Sequence, residues 1–127
     1  MAKILLVDDE YEIALVIRHL LAESGYEICV AQNGLAALLL FESQFFDLII
    51  TDLRMPRMDG MSFLCEVRKL EPSTPVIILT AYDSPETAAQ AVENGALIYL
   101  TKPFKSDKLL DIVNRLLRAD RSMVCSG

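Results

Sequence analysis

The sequence lacks a basic excess: 12 Lys and Arg stand against 18 Asp and Glu, a formal net charge of −6. A general nucleic-acid binder carries a basic footprint, so no direct nucleic-acid contact is expected. It also lacks any apolar run approaching the roughly 20 residues of a membrane-spanning helix. Met1-Ala2-Lys3 leads into a strand and is no signal peptide, so a cytoplasmic protein without membrane contact is expected. Cysteine is sparse. Cys29, Cys65 and Cys125 are odd in number, follow no metal spacing and read as free thiols in a reducing cytosol. Histidine is sparser still: His19 stands alone without ligand spacing and is assigned to the surface. No linker, low-complexity segment or second domain is visible. What remains is 127 residues, 53% of them hydrophobic, enough for one well-filled core.

The apolar residues alternate between strand and helix patterning. Lys3 to Val7 is a short β-rich run cut off by Asp8-Asp9-Glu10. From Glu10 to Ser24 the spacing of Ile13, Ile17, Leu20 and Leu21 is helical, and Gly25 ends that helix. Tyr26 to Ala31 reads as a second strand, with Asn33-Gly34 turning into a helix over Leu35–Ser43. Asp47 to Asp52 is an unbroken apolar run that ends in a carboxylate, the pattern of a strand buried on both faces. Asp59-Gly60 opens a helix to Leu70, Val76 to Thr80 forms a fourth strand, and Ser84-Pro85-Glu86 starts a helix to Asn94. Ala96 to Leu100 is a fifth strand and Ser106-Asp107 opens a last helix, with Leu109, Ile112, Val113 and Leu116 on one face. Arg121 to Gly127 reads as a frayed tail, which puts the domain at residues 1–120 and the tail at 121–127.

Five strand–helix units with short connections predict an α/β, three-layer sandwich of (βα)5 type. A doubly wound, flavodoxin-like sheet is the natural solution, with its functional edge at the carboxyl ends of the strands. A closed eight-fold barrel would need about twice the length. On that edge the first strand delivers Asp8 and Asp9, the third Asp52, the fourth Thr80 and the fifth Lys102. Three clustered carboxylates repel, so a stable site needs a bound cation or raised pKa values. A hard, oxygen-seeking ion such as Mg²⁺ suits the set. A carboxylate can also act as nucleophile toward phosphorus, with a cation on one side and Lys102 on the other neutralising the phosphoryl oxygens. Asp52, on the central strand, is the best nucleophile.

The motifs Leu6-Val7-Asp8-Asp9, Asp52 with Met55-Pro56 and Asp59-Gly60, Leu79-Thr80-Ala81, and Lys102-Pro103-Phe104 occur in this order. Together they resemble the receiver domain of two-component response regulators, of the CheY-like superfamily, from about Lys3 to Arg118, and the resemblance implies the strand order 2-1-3-4-5. The resemblance implies that Asp52 is the phospho-acceptor and that Asp9, Asp52 and the backbone carbonyl of Arg54 bind Mg²⁺ directly. Asp8 would hold the ion through water, and Mn²⁺ could replace it. Lys102 would contact the phosphoryl oxygens, Thr80 would turn toward them, Tyr99 would be the aromatic switch, and Lys102-Pro103 would be a cis peptide. The implied partners are a sensor histidine kinase or histidine phosphotransfer protein and an output domain or downstream protein. A homodimer through the fourth helix, fifth strand and fifth helix is a further implication. The domain would catalyse only its own phosphorylation and dephosphorylation, and is otherwise not an enzyme. Leu15, on the outer face of the first helix, is a candidate partner contact, and Arg54 and Tyr82 are candidates for setting the lifetime of the phosphoryl group.

Each residue also has a plainer reading. Asp8 and Asp9 could simply cap the first helix, Thr80 could be an ordinary β-branched strand residue, Lys102 a solvated charge, and Tyr99 a packing aromatic. Two other classes compete. An aspartate-nucleophile phosphatase would place a second Asp two residues after the nucleophile, where this chain has Arg54. A receiver-like interaction module that is never phosphorylated should have lost part of the acidic set, and none is missing here.

Overall fold

The computed structural model describes residues 2–55, 57–81 and 84–126, with 119–126 described by backbone alone. Tyr82 therefore lies outside the described residues, as do Pro56 and the side chain of Cys125. Strands and helices alternate along the described residues. They are β1 (Lys3–Val7), α1 (Tyr11–Glu23), β2 (Glu27–Ala31), α2 (Gly34–Ser43), β3 (Leu48–Thr51), α3 (Gly60–Leu70), β4 (Val76–Thr80), α4 (Pro85–Glu93), β5 (Ile98–Thr101) and α5 (Ser106–Ser126). All strand pairings are parallel, as the alternation predicts, and the order is β2-β1-β3-β4-β5, as the receiver resemblance implies.

The unbroken apolar runs form the middle of the sheet because both of their faces are covered. Every residue of β3 and β4 is buried. Along β1 the side chains alternate: Ile4 and Leu6 join Ala14, Ile17 and Leu21 of α1 and Leu109 and Val113 of α5. Leu5 and Val7 join Ala37 of α2, Phe63, Leu64 and Val67 of α3, and Ala91 of α4. Helices α1 and α5 thus cover one face, and α2, α3 and α4 the other. Each fully buried Leu, Ile, Val or Phe side chain among these contributes about 1.5–3 kcal/mol.

The helix starts follow local chemistry. Asn33, Asp59 and Ser84 cap α2, α3 and α4, each accepting a hydrogen bond from a backbone N–H in the first turn. Helix α1 is different: Glu10 occupies its cap position, yet its side chain makes no capping bond.

Two boundaries differ from the sequence reading by two residues or more. Strand β5 begins at Ile98, two residues later than expected. The Ala96 N–H is used by the end of α4, donating to the Ala91 carbonyl, and Leu97 only reaches Val76 as the chain enters the sheet. Helix α5 also continues to Ser126, where a frayed tail was expected from Arg121. No Gly or Pro falls within 106–126, so nothing in the local chemistry stops the helix at Arg121.

Candidate functional site

The parallel ladder carries the functional residues one step past the strands. The Asp52 N–H donates to the Val7 carbonyl at 2.9 Å, the Asp8 N–H to Ala31 at 3.0 Å, and the Lys102 N–H to Thr80 at 2.8 Å. The sheet edge therefore fixes the backbones from which these side chains project. The order β1-β3-β4 then sets Asp52 between Asp8 and Thr80.

Asp52 is 6% exposed and Asp8 2%. One carboxylate oxygen of Asp52, Oδ1, accepts from the N–H of Leu53 at 2.6 Å and of Arg54 at 3.3 Å. The other, Oδ2, lies 3.0 Å from the Lys102 ammonium. Asp8 is held in a parallel way, with Oδ1 accepting from the Glu10 N–H at 2.9 Å and Oδ2 lying 2.8 Å from Lys102 Nζ. The third contact of the ammonium is Glu10 Oε1 at 3.1 Å. The Lys102–Pro103 peptide bond is cis.

Burial and charge compete here. Burial alone would make the Lys102 ammonium easier to deprotonate, but its hydrogen bonds to Asp8, Asp52 and Glu10 outweigh that and raise its pKa above the ordinary lysine value. Lys102 therefore stays charged throughout the neutral range. Burial pushes the Asp8 carboxyl up from the usual carboxylate value, with the Lys102 and Glu10 hydrogen bonds offsetting this in part and the nearby Asp52 charge adding to it.

Asp8, Glu10 and Asp52 each offer a carboxylate oxygen within 4.8 Å of the others. An all-oxygen anionic set of this size fits a hard divalent cation such as Mg²⁺ and does not suit a soft metal. The ammonium of Lys102 bonded to all three is itself a sign that the cluster is built around positive charge.

The residues expected at the site do not all gather. Asp8, Asp52 and Lys102 do, and Thr80 is buried at the end of β4 with 1% exposure. Asp9 is exposed and outside the carboxylate cluster, where Glu10 stands in its place. Arg54 is exposed on the loop after β3. Tyr99 is half-buried in β5, in register with Ile78, and packs on the α2–α3–α4 side of the sheet. His19 is exposed and pairs with Glu23 at 2.9 Å, as a surface residue would.

Nothing in the sequence singles out Glu10 beyond the start of α1: a Glu following two Asp carries no signal that it folds back over Lys102. Asp59-Gly60 likewise signals only a turn. A Cβ on Gly60 would lie 2.0 Å from the Asp52 carbonyl oxygen, so the β3–α3 loop closes directly against the backbone of Asp52. Beside the site, a groove of about 580 Å³ runs between α1 and the β5–α5 loop. Ile13, Val16, Leu20, Pro103 and Phe104 line its apolar part and Lys102 and Glu10 its polar end. Leu15, 40% exposed, lies on the same helix outside that lining.

The chain has relatives among known proteins. It matches the response regulator receiver domain family over residues 4–114. It is 41% identical over 120 residues to the transcriptional regulatory protein ZraR of Escherichia coli K12, covering 94% of this chain and 27% of ZraR. The chain spans about a quarter of the length of the curated relatives it matches. Among solved structures, the chemotaxis protein CheY4 of Vibrio cholerae superposes with a TM-score of 0.87 at 39% identity, over 92% of this chain and 99% of that one. The response regulator TrrA of Thermotoga maritima, crystallised in complex with Mg(2+)-BeF, superposes with a TM-score of 0.84 at 38% identity, over 92% of this chain and all of its own. In its motifs, its strand order and its acidic edge alike, the chain belongs to the response regulator receiver domains of two-component signalling.

Proposed function

We propose that the domain accepts a phosphoryl group on Asp52 in a Mg²⁺-dependent reaction and relays that event to an output partner. The observation that carries this is the placement of Asp52 on the central strand, flanked by Asp8, with Lys102 within 3.0 Å of its carboxylate. The complex of TrrA with Mg(2+)-BeF supports the same reading.

In the reaction an Asp52 carboxylate oxygen forms a bond to phosphorus as the bond from phosphorus to the donor's imidazole nitrogen breaks. The electron pair leaves with that nitrogen. Asp52 needs no general base, because a carboxylate is ordinarily ionised at neutral pH. The backbone N–H groups of Leu53 and Arg54 orient its carboxylate. Lys102, kept protonated, balances charge on the transferring oxygens. Asp9, Asp52 and the Arg54 carbonyl are the proposed direct metal ligands, and Asp8 would hold the ion through water. A bound Mg²⁺, or Mn²⁺ in its stead, supplies charge neutralisation and in-line alignment at the phosphoryl group. In this respect the domain catalyses its own modification and turns over no other substrate.

Afterwards Thr80 turns its hydroxyl toward the phosphoryl group and Tyr99 moves inward, which biases a two-state surface on α4, β5 and α5. That surface binds an output domain, a downstream protein or a second copy of the chain, without nucleic-acid contact by this domain. The phosphodonor is a sensor histidine kinase or a histidine phosphotransfer protein, which this domain meets in the cytoplasm. Among the described residues no helix is long and apolar enough to cross a membrane. The donor protein docks on α1, and Leu15→Asp should slow transfer from it about ten-fold while leaving transfer from a small phosphodonor unchanged. Equal rates from the protein donor in both variants would remove Leu15 from the interface.

The reading as a whole is tested by incubating the protein with a small phosphodonor, with and without Mg²⁺. Stable incorporation only with Mg²⁺ is expected. Steady release of inorganic phosphate without a labelled protein would favour a phosphatase, and no reaction in either condition a purely protein-binding module.

A further inference from the structure

An ammonium group has three N–H donors. Those of Lys102 are all committed, to Asp8 at 2.8 Å, Asp52 at 3.0 Å and Glu10 at 3.1 Å. If Lys102 is to touch a phosphoryl oxygen, one of these contacts must be given up. The three are not equivalent. The side chains of Asp8, Asp52 and Lys102 are 2%, 7% and 8% exposed, whereas that of Glu10 is 53% exposed. A buried carboxylate stripped of its cation is left without solvent, but an exposed one is rehydrated at once. Glu10 is therefore the contact that yields most easily.

Its local structure points the same way. Glu10 holds the cap position of α1, where a side-chain oxygen ordinarily accepts a first-turn N–H, yet it makes no such bond. Its carboxylate reaches across to the β5–α5 loop instead, while its own N–H holds Asp8 Oδ1. We infer that Glu10 is a positioning residue that parks Lys102 over Asp8 and Asp52 before transfer and is displaced from the ammonium by the incoming phosphoryl oxygens. The inference rests on the receiver reading and adds a cost to it. While Glu10 is in place it occupies the third donor of Lys102 and adds a negative charge beside the acceptor, so an anionic phosphodonor must compete with it.

The test compares the wild type with Glu10→Gln, using a small anionic phosphodonor, acetyl phosphate, at saturating Mg²⁺. Glu10→Gln should lower the apparent KM roughly five-fold with little change in the maximal labelling rate, the size expected of one solvent-accessible charge pair. The difference should shrink as ionic strength rises, because the released contact is exposed. A role confined to holding α1 would move the melting temperature but neither the KM-to-rate split nor its salt dependence. An unchanged KM, or slower labelling at saturating Mg²⁺, would overturn the inference and make Glu10 a bystander or a required metal ligand. The receiver reading fails separately, if the wild type itself is not labelled on Asp52.

Discussion

Asp52→Asn is expected to reduce labelling by a phosphodonor to background while the protein stays folded. Asn is nearly the same size, and its side-chain oxygen can still accept from the N–H groups of Leu53 and Arg54 that now hold Asp52 Oδ1. Lys102 keeps Asp8 and Glu10 as partners, so no buried charge is left alone. One favourable contact to Lys102 is lost and one repulsion with Asp8 is relieved, so stability should change by no more than about 1–2 kcal/mol. What disappears is the anionic nucleophile, because an amide does not attack phosphorus under these conditions. Intact-mass analysis together with a thermal melt checks both halves. Labelling that persists in a folded Asp52→Asn would require another acceptor.

The second large effect is structural and lies eight residues further on. Gly60→Ala places a Cβ at 2.0 Å from the Asp52 carbonyl oxygen, 2.7 Å from Leu53 Cα and 2.9 Å from the Asp52 carbonyl carbon. All three are backbone atoms of the segment that carries the acceptor, so no flexible side chain can move aside. Either the start of α3 or the end of β3 must shift, and the Gly60 N–H to Leu53 carbonyl bond of 2.9 Å shifts with it. A loss of about 3 kcal/mol or more is expected. The melting temperature should then fall by on the order of 10 °C, with slower labelling because Asp52 is displaced. Gly25→Ala is the comparison: its φ of +95° strains any side chain, but nothing lies within 4 Å. That change should cost only about 1 kcal/mol and leave labelling intact. If the two variants melt alike, the close approach of α3 to Asp52 is not what Gly60 provides.

The sequence carried the fold because each of its signals was local. The apolar run Leu48-Ile49-Ile50 can be buried on both faces only in the middle of a parallel sheet, and five alternating units leave few ways to wind one. Two boundaries were not local. The start of β5 depends on how α4 ends, since the Ala96 N–H turns back to Ala91 before the chain can pair with β4. The end of α5 depends on the absence of a stop signal, and the run after Arg121 was read by its position near the terminus.

The site divides in the same way. Asp8, Asp52 and Lys102 are set by strand ends, which the apolar runs mark, and the sheet order brings them together. Which of three consecutive carboxylates turns inward after β1 is decided by a backbone detail. The Glu10 N–H closes onto Asp8 Oδ1, and the chain then carries Glu10 over Lys102 while Asp9 faces solvent. Hydropathy cannot report that, because Asp9 and Glu10 are equally polar. The nearness of Gly60 to Asp52 is hidden for a similar reason: Asp59-Gly60 announces a turn but not what the turn closes against.

The central claim is that Asp52 carries the phosphoryl group. The most direct measurement treats the wild-type protein with acetyl phosphate and Mg²⁺, reduces the acyl phosphate with borohydride, and maps the product by peptide mass spectrometry. An acyl phosphate on aspartate is reduced to homoserine, so the account predicts homoserine at position 52, absent when Mg²⁺ is omitted. Homoserine at position 8 or 9, or a phosphorylated protein with Asp52 unchanged, would contradict it.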